Sequence, residues 1–174
     1  QFTAFDAAGN TSVSYAGAVF VYTQSGGTWG QQQKIVATGT NGRVDSDYFG
    51  SSGALSGETL AVGAPRQDYD ESGNSLVTDA GAVYVYTRSG TTWGLQQKVV
   101  ATGTNARAAG SEYFGTRINL NGDFLVVGST GQNYDVAGDN YSGEAGAAYS
   151  FHRSGGVWTQ TKKYVGIGSN SRHS

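Results

Sequence analysis

The stretch from Ala80 to Asn105 reads AGAVYVYTRSGTTWGLQQKVVATGTN. The stretch from Ala16 to Asn41 is identical to it at 21 of 26 positions, at an offset of 64 residues. A third version, from Ala145 to Asn170, lies 65 residues further on and retains 12 of the 26 positions. Similarity of this kind at a fixed period is the signature of a repeat protein. The repeat therefore decides the fold.

The intervening half of the unit repeats as well. YFGSSGALSGETLAVGAP, from Tyr48 to Pro65, matches YFGTRINLNGDFLVVGST, from Tyr113 to Thr130. The second of four short strands has a continuous apolar run, which indicates burial on both faces. Strands joined by tight Ser-Gly turns are predicted over Ser52–Leu55, Thr59–Ala64, Ala82–Thr87 and Trp93–Val100. Each unit is expected to be a four-stranded antiparallel sheet.

Composition favours an all-β chain. The 174 residues include 28 glycines, one proline and 14% charged side chains, which suits strands joined by glycine turns. The net charge of -2, without a Lys/Arg cluster, disfavours nucleic acid and anionic membranes as partners, and no apolar stretch could span a bilayer. Because Cys and Met are absent, disulfides, thiolate metal sites and thiol catalysis are excluded within these residues.

A sheet of four short strands cannot bury both of its faces alone, so each unit must pack against the next. Radial packing gives the blades of a β-propeller, whereas stacking along an axis gives an open array. Residues 1–47 are assigned to a first unit with strands three and four of a blade, residues 48–112 to a full second unit and residues 113–174 to a divergent third unit with a tail. Since a propeller has about 4 to 8 blades, we expect an incomplete propeller, or an excerpt of a longer chain.

A family resemblance follows from these motifs. Phe49-Gly50 with Gly63-Ala64-Pro65, and Phe114-Gly115 with Gly128-Ser129-Thr130, resemble FG-GAP repeats, the blades of integrin α-subunit propellers and of many bacterial and algal surface proteins. The pattern GAVYVYTRSGTTW is similar to the bacterial-type extracellular subfamily. The resemblance covers essentially the whole chain. It implies a propeller fold and an extracellular or cell-surface location.

Calcium-binding members of that family have a D-x-D-x-D-G loop between the FG and GAP strands. Here the connection is Ser56-Gly57-Glu58 or Asn121-Gly122-Asp123, a short turn with too few oxygens to enclose Ca²⁺. The family's usual calcium site is therefore not expected.

In an up-and-down sheet, the connections from strand two to three and from strand four to the next unit lie on one face, which we call the long-loop face; the Ser-Gly turns lie on the opposite, short-turn face. The long loop at residues 68–74, DYDESGN, is similar to the start of a calcium loop, and its counterparts are AFDAAGN and NYDVAGD. Calcium is the one candidate cofactor. Its candidate ligands are Asp6, Asp68, Asp70, Ser72, Asp135 and Asp139. The alternative is that Asp6, Asp70 and Asp135 each close an Asx-turn with a positive-φ glycine.

An Asn-x-Arg element also recurs on the long-loop face, at Asn41-x-Arg43, Asn105-x-Arg107 and Asn170-x-Arg172. An arginine near repeated aspartates predicts bidentate pairs between neighbouring loops, and ligand recognition is the alternative. Candidate partner-binding residues on this face are Tyr69, Tyr134, Arg43 and Arg107.

Aromatic residues recur at two strand ends. The fourth strand of each unit begins with a tryptophan, at Trp29, Trp93 and Trp158. The third strand of each unit closes with an aromatic residue, at Tyr22, Tyr86 and Phe151. A row of aromatic rings could stack on sugars, but recurrence at the repeat period favours packing between units.

Catalysis is not expected. His152 and His173 do not recur, and no Ser-His-Asp, paired-carboxylate or metal-ligand spacing is found in the sequence. Asn10 and Asn140 fit the N-glycosylation pattern. The sequence predicts a non-catalytic recognition or adhesion scaffold that offers its long-loop face to a protein or glycan. The alternatives are a structural subunit of an extracellular fibre or sheath, which binds copies of itself, and a glycan-binding lectin.

Overall fold

The computed structural model describes residues 3–5, 12–108, 110–143 and 145–166. Within these ranges all regular elements are strands. None of the described segments is a helix that could cross a membrane. The strands are β1 (Thr3–Phe5), β2 (Ser12–Ser14), β3 (Val19–Ser25), β4 (Thr28–Ile35), β5 (Ser52–Ser56), β6 (Thr59–Ala64), β7 (Ala82–Ser89), β8 (Thr92–Val99), β9 (Phe114–Asn121), β10 (Phe124–Ser129), β11 (Ala147–Ser154) and β12 (Val157–Tyr164).

The second and third units each form an up-and-down antiparallel sheet, with strand orders β5-β6-β7-β8 and β9-β10-β11-β12. In the first unit β3 pairs with β4, and β1 pairs with β2 in a separate small sheet. Each unit ends with a hairpin of its third and fourth strands. The three hairpins have a register shift at equivalent positions, Val21/Tyr22, Val85/Tyr86 and Ser150/Phe151. Such a bulge increases the local twist of a sheet. The prediction of an all-β fold built from four-stranded blades is confirmed.

The β1–β2 pair was not predicted from the sequence. At the 64-residue offset, Phe5 and Ser12 correspond to Tyr69 and Leu76, which form an isolated antiparallel bridge inside the long loop of the second unit. Tyr134 and Tyr141 form the same bridge in the third unit. The loop between strands two and three is therefore a miniature hairpin in each unit.

The apolar core lies between units, in two clusters. One fills the space between the β3–β4 hairpin and the second unit, and the other the space between the second and third units. Strand β6 contributes to both, because Leu60 and Val62 face the first cluster and Ala61 faces the second. The predicted burial of this strand on both faces is confirmed. Apolar surface that one sheet cannot cover alone is thus covered by its neighbour.

Consecutive units are also joined by backbone hydrogen bonds. The segment that precedes β9 runs beside the segment that precedes β7, and the amides of Tyr113 and Phe114 donate to the carbonyls of Asp79 and Ala80 at 3.0 and 3.1 Å. The first joint repeats this pattern, from Tyr48 and Phe49 to the carbonyls of residues 15 and 16. A parallel bridge ends each joint, Gly17 with Phe49 and Gly81 with Phe114.

Glycine is required at this joint. Gly81 has a φ of +84°, and a Cβ placed there would lie 2.1 Å from the carbonyl oxygen of Phe114. Gly115, the glycine of the Phe-Gly pair, has a φ of +97° and would meet the carbonyl oxygen of Ala82 at 2.7 Å. The two glycine motifs of the repeat therefore mark the points where the backbones of adjacent units approach each other.

Glutamines of one unit bind the tryptophan of the next. The indole Nε1 of Trp93 donates to Gln32 at 2.8 Å, while the Gln33 side chain accepts from the Trp93 backbone amide at 2.7 Å and donates to its carbonyl at 3.0 Å. Trp158 makes the same three bonds to Gln96 and Gln97, at 2.9, 2.8 and 3.0 Å. Both glutamines belong to the fourth strand of the preceding unit. We call this arrangement the Gln-Trp clasp.

Candidate functional site

The two faces of the molecule differ in chemistry. On the short-turn face, Arg88 pairs with Glu58 at 2.6 Å and Arg153 with Asp123 at 2.6 Å, so that each ion pair ties the first turn of a unit to the third. On the opposite face, the long loops of adjacent units lie side by side. The predicted candidate ligands and partner-binding residues are on that long-loop face.

The acidic loop of the second unit closes on itself. The Asp70 carboxylate accepts from the Ser72 hydroxyl at 2.7 Å and from the amide of Asn74 at 3.0 Å. Hydrogen bonding from Ser72 holds the pKa of Asp70 well below its usual value. Asp68 is engaged elsewhere, because its carboxylate accepts from the amide of Asp79 at 2.8 Å. The Asp70 carboxylate thus closes its own loop, although the amide that it binds lies four residues on, beyond the two of a standard Asx-turn.

The third unit builds the same turn from a different sequence. The Asp135 carboxylate accepts from the amides of Gly138 at 2.7 Å and Asp139 at 3.0 Å, and from the Asn140 side chain. The bond from Asn140 is the main cause of the lowered pKa of Asp135. Asp6 lies outside the described residues. In the described part of the chain, no three His, Cys, Asp or Glu side chains form a group that could hold a metal ion. Both aspartates close their own loops as the turn interpretation expects, but through amides three or four residues on, and calcium binding stays a prediction.

Each acidic loop packs against the connection that joins its unit to the preceding one. Gly73 has a φ of +80°, and a Cβ there would lie 2.0 Å from the carbonyl oxygen of Thr40. The side chain of Asn41 donates to the carbonyl of Gly73 at 3.1 Å. Asn105 makes the same bond to Gly138 at 2.9 Å. The asparagine of the Asn-x-Arg element therefore holds the long loop of the following unit.

The arginine of the Asn-x-Arg element has other partners than those predicted. The guanidinium of Arg107 donates to the backbone carbonyls of Gly81 at 3.0 Å and Asp68 at 3.2 Å, instead of forming a bidentate pair with a carboxylate. Burial lowers the pKa of Arg107. Arg43 is half-buried at the equivalent position. Arg172 lies outside the described residues. Arg107 thus stabilises the loops between units, and its role as a partner-binding residue stays a prediction.

A buried polar cluster lies beneath the long loops. The Asp47 carboxylate accepts from the amide of Val44 at 2.6 Å and from the Gln67 side chain at 2.8 Å. The other end of Gln67 accepts from the Lys98 ammonium at 3.2 Å, which also donates to the carbonyl of Tyr69 at 3.0 Å. Glu112, Gln132 and Lys163 occupy the equivalent buried positions of the third unit. Recurrence in both units indicates a role in holding the loops.

Burial changes the titration of this cluster. It raises the pKa of Asp47 to about 7, although the bond from Val44 opposes it, and it lowers the pKa of Lys98 to about 8. The charges that act on Asp47 are those of Asp68 and Lys98. A carboxyl whose pKa is higher in the folded than in the unfolded state binds its proton more tightly when folded.

Stability is therefore expected to fall between pH 5 and pH 7. In this window the carboxyl of Asp47 is already ionised in the unfolded state, whereas in the folded state it is still losing its proton. The free energy of unfolding therefore falls by about 2 kcal/mol from pH 5 to pH 7. Lys98 stays mostly protonated below its pKa of about 8, and the lowered pKa values of Asp70 and Asp135 keep both carboxylates ionised over this range. Urea unfolding at both pH values measures the difference, and Asp47→Asn should remove most of it. An equal pH dependence in the variant would assign the titration to another group.

Tyrosines and one arginine form a row across the long-loop face. Tyr15 stacks on Tyr48 with ring centroids 5.6 Å apart. Arg66 lies over Tyr48 at 5.2 Å and over Tyr113 at 5.7 Å, and it approaches Asp79 at 4.0 Å. Cation-π and stacking contacts of this kind fix large side chains at a surface. The sequence prediction missed this row, although Tyr48 and Tyr113 were visible in the repeated YFG motif.

A cleft interrupts the row in the third unit. Gly131 stands where the second unit has Arg66, and a cleft of about 440 Å³ lies between Tyr113, Ser111, Thr130 and Asn133. The long loops of the second and third units also carry exposed apolar side chains, Leu76, Val136 and Tyr141. The predicted partner-binding residues Tyr69 and Tyr134 are half-buried, and Tyr134 packs edge-on against Tyr141 at 5.5 Å.

The remaining candidates are placed as follows. Trp93, Trp158, Tyr86 and Phe151 are buried between units, so the packing interpretation is correct for them, whereas Trp29 and Tyr22 are exposed. Asn140 is exposed, and its side chain is bonded to Asp135. Asn10 and His173 lie outside the described residues.

The comparisons with known proteins agree with this architecture. The sequence model of the FG-GAP repeat matches residues 29–86, which span β4 to β7 and the joint between the first and second units. No curated protein matches the sequence significantly.

Proposed function

We propose that this chain, in which residues 29–86 match the FG-GAP repeat, is a non-catalytic recognition scaffold, outside the cell or at its surface, whose long-loop face binds a protein ligand. The observation that carries the proposal is the set of exposed apolar side chains, Leu76, Val136 and Tyr141, on long loops that hydrogen bonds hold in place. Exposed apolar groups on a fixed frame are typical of protein interaction sites.

The rigidity of the loops has three sources. The carboxylates of Asp70 and Asp135 close the loops through hydrogen bonds to loop amides. Asn41 and Asn105 hold the loops to the preceding connection, and the buried polar cluster fills the space beneath them. A surface that is ordered before its ligand arrives loses little conformational entropy on binding. Such an arrangement supports recognition.

A protein ligand is favoured over a glycan. Of the six aromatic residues predicted as a possible sugar platform, Trp93, Trp158, Tyr86 and Phe151 are buried in the joints, and the exposed Trp29 and Tyr22 both belong to the first unit. Aliphatic side chains such as Leu76 and Val136 instead suit the apolar surface of a protein. The potential acid and base, Asp47 and Lys98, are buried and bonded to loop atoms, which supports a structural role for both.

Arrays of peptides and glycans test this proposal with the full chain. The loop variant Leu76→Ser/Tyr141→Ser should lose at least tenfold of the affinity for the best-binding arrayed peptide. The control Leu55→Ser/Val157→Ser changes two residues near the short-turn face that are 61% and 56% exposed, against 57% and 65% for the loop pair. It should bind like the wild type. Equal losses in both variants, binding to glycans alone, or no peptide binding by the wild type would overturn the proposal.

A further inference from the structure

Two glutamines bridge the fourth strands of the second and third units. The Gln97 side chain accepts from the amide of Trp158 at 2.8 Å and donates to its carbonyl at 3.0 Å. Gln160 does the same in the opposite direction, because its side chain accepts from the amide of Thr102 and donates to its carbonyl, both at 2.9 Å. One planar carboxamide thus supplies both a donor and an acceptor to a single backbone residue. We call each such pair of bonds a carboxamide bracket.

The joint between the first and second units differs from this pattern at one position. Gln33 forms a bracket on Trp93, as Gln97 does on Trp158. At the position of Gln160, however, the second unit has Leu95, and the counterpart of Thr102 is Thr38. Since a leucine side chain has no donor or acceptor, the second bracket cannot form there.

A groove of about 130 Å³ lies at this position, between β4 and β8. Thr38 and Leu95 line it together with Gln33 and Trp93, so the groove continues the joint to the surface. Thr38 is exposed, and Leu95 is 39% exposed. A backbone amide and carbonyl therefore lie beside an apolar side chain in a groove that is open to a ligand.

We propose that this groove binds a glutamine side chain of a protein ligand, and that its carboxamide forms the missing bracket on Thr38. Inside the chain, the bracket is made by a glutamine in all three cases, Gln33, Gln97 and Gln160. The methylene groups of the ligand's glutamine would cover the exposed surface of Leu95. Because water hydrates an exposed backbone residue, the bracket contributes selectivity for a carboxamide more than affinity. That the ligand is a protein rests on the proposed function.

An NMR titration of the isotope-labelled full chain with N-acetylglutamine methylamide tests the proposal. The backbone amide of Thr38 should shift along a saturable curve in the millimolar range. N-acetylnorleucine methylamide has the same peptide groups but no carboxamide, so it should bind about tenfold more weakly. The amide of Thr102 is the internal control, and it should not respond to either probe because Gln160 already binds it.

Two variants exchange the residues at the equivalent positions. Leu95→Gln supplies the carboxamide within the chain, so the amide of Thr38 should no longer respond to the probe, and its proton should exchange more slowly. Gln160→Leu removes the bracket on Thr102, whose amide should then respond to the probe as that of Thr38 does in the wild type.

Four results would overturn the proposal. They are a wild type in which the Thr38 amide does not respond, equal binding of both probes, an unchanged response in Leu95→Gln, and a silent Thr102 amide in Gln160→Leu, with circular dichroism showing that each variant is folded. The array experiment reports on the proposed function separately, since its variants change Leu76 and Tyr141, which do not line this groove.

Discussion

Replacement of Gly81 by alanine is expected to lower the free energy of unfolding by about 3 kcal/mol or more. The residue has a φ of +84°, a region that costs an L-residue about 1 to 2 kcal/mol. The added Cβ would also lie 2.1 Å from the carbonyl oxygen and 2.5 Å from the nitrogen of Phe114. Because both are backbone atoms, relief requires the joint itself to open, with loss of the bond from Phe114 to Ala80. Urea unfolding with an unchanged slope measures the loss.

Gly90→Ala is the matched control. Gly90 has a φ of +61° in the β7–β8 turn, and a Cβ there would meet no atom within 4 Å. It shares the conformational cost but not the clash, so the expected loss is about 1 to 2 kcal/mol. If the two variants were destabilised equally, the approach of the units at Gly81 would not be as close as described.

Trp158→Ala is expected to cost about 3 to 5 kcal/mol, because it removes a buried aromatic side chain and orphans the Gln96 acceptor. Trp29→Ala, at the equivalent position of the first unit, should cost less than about 1 kcal/mol, since Trp29 is exposed. The pair compares the same residue type in the same strand position with and without a preceding unit. Thermal or urea unfolding measures both.

Trp158→Phe separates the two contributions at this position. Phenylalanine keeps most of the apolar contact with the second unit but cannot donate to Gln96. We expect a loss between those of the wild type and Trp158→Ala. Equal losses for Trp29→Ala and Trp158→Ala would show that packing between units contributes little.

The strands of the second unit could be predicted to within two residues at each end, because the repeat fixes which features recur and the Ser-Gly turns bound each hairpin. The continuous run in β6 also predicted its double burial correctly. The β1–β2 pair could not be predicted, since residues 3–5 and 12–14 are too short to show a strand pattern.

The Gln-Trp clasp was invisible in the sequence for a different reason. Gln32 and Trp93 are 61 positions apart, and polar residues on a strand are normally expected to face solvent. The repeat revealed that both recur, but recurrence alone does not say which two residues meet. Their contact depends on the rotation of one sheet relative to the next, which only the packed structure defines.

The candidate site was predicted in part. The long-loop face was identified from connectivity, and the turn interpretation of Asp70 and Asp135 agrees with their hydrogen bonds. The prediction that Arg107 pairs with carboxylates was wrong, because its guanidinium donates to the backbone carbonyls of the nearby loops instead. Arg66 was missed because candidate residues were selected for recurring in each unit, and Arg66 occurs in the second unit alone.

Hydrogen exchange of the three tryptophan indole protons, followed by NMR in the full chain, tests most directly whether each unit is completed by its neighbour. Trp93 and Trp158 donate to glutamines of the preceding unit and are buried there, so their protons should exchange slowly. The proton of the exposed Trp29 should exchange at close to the rate of a free indole. Three protons that exchange at one common fast rate would contradict the account.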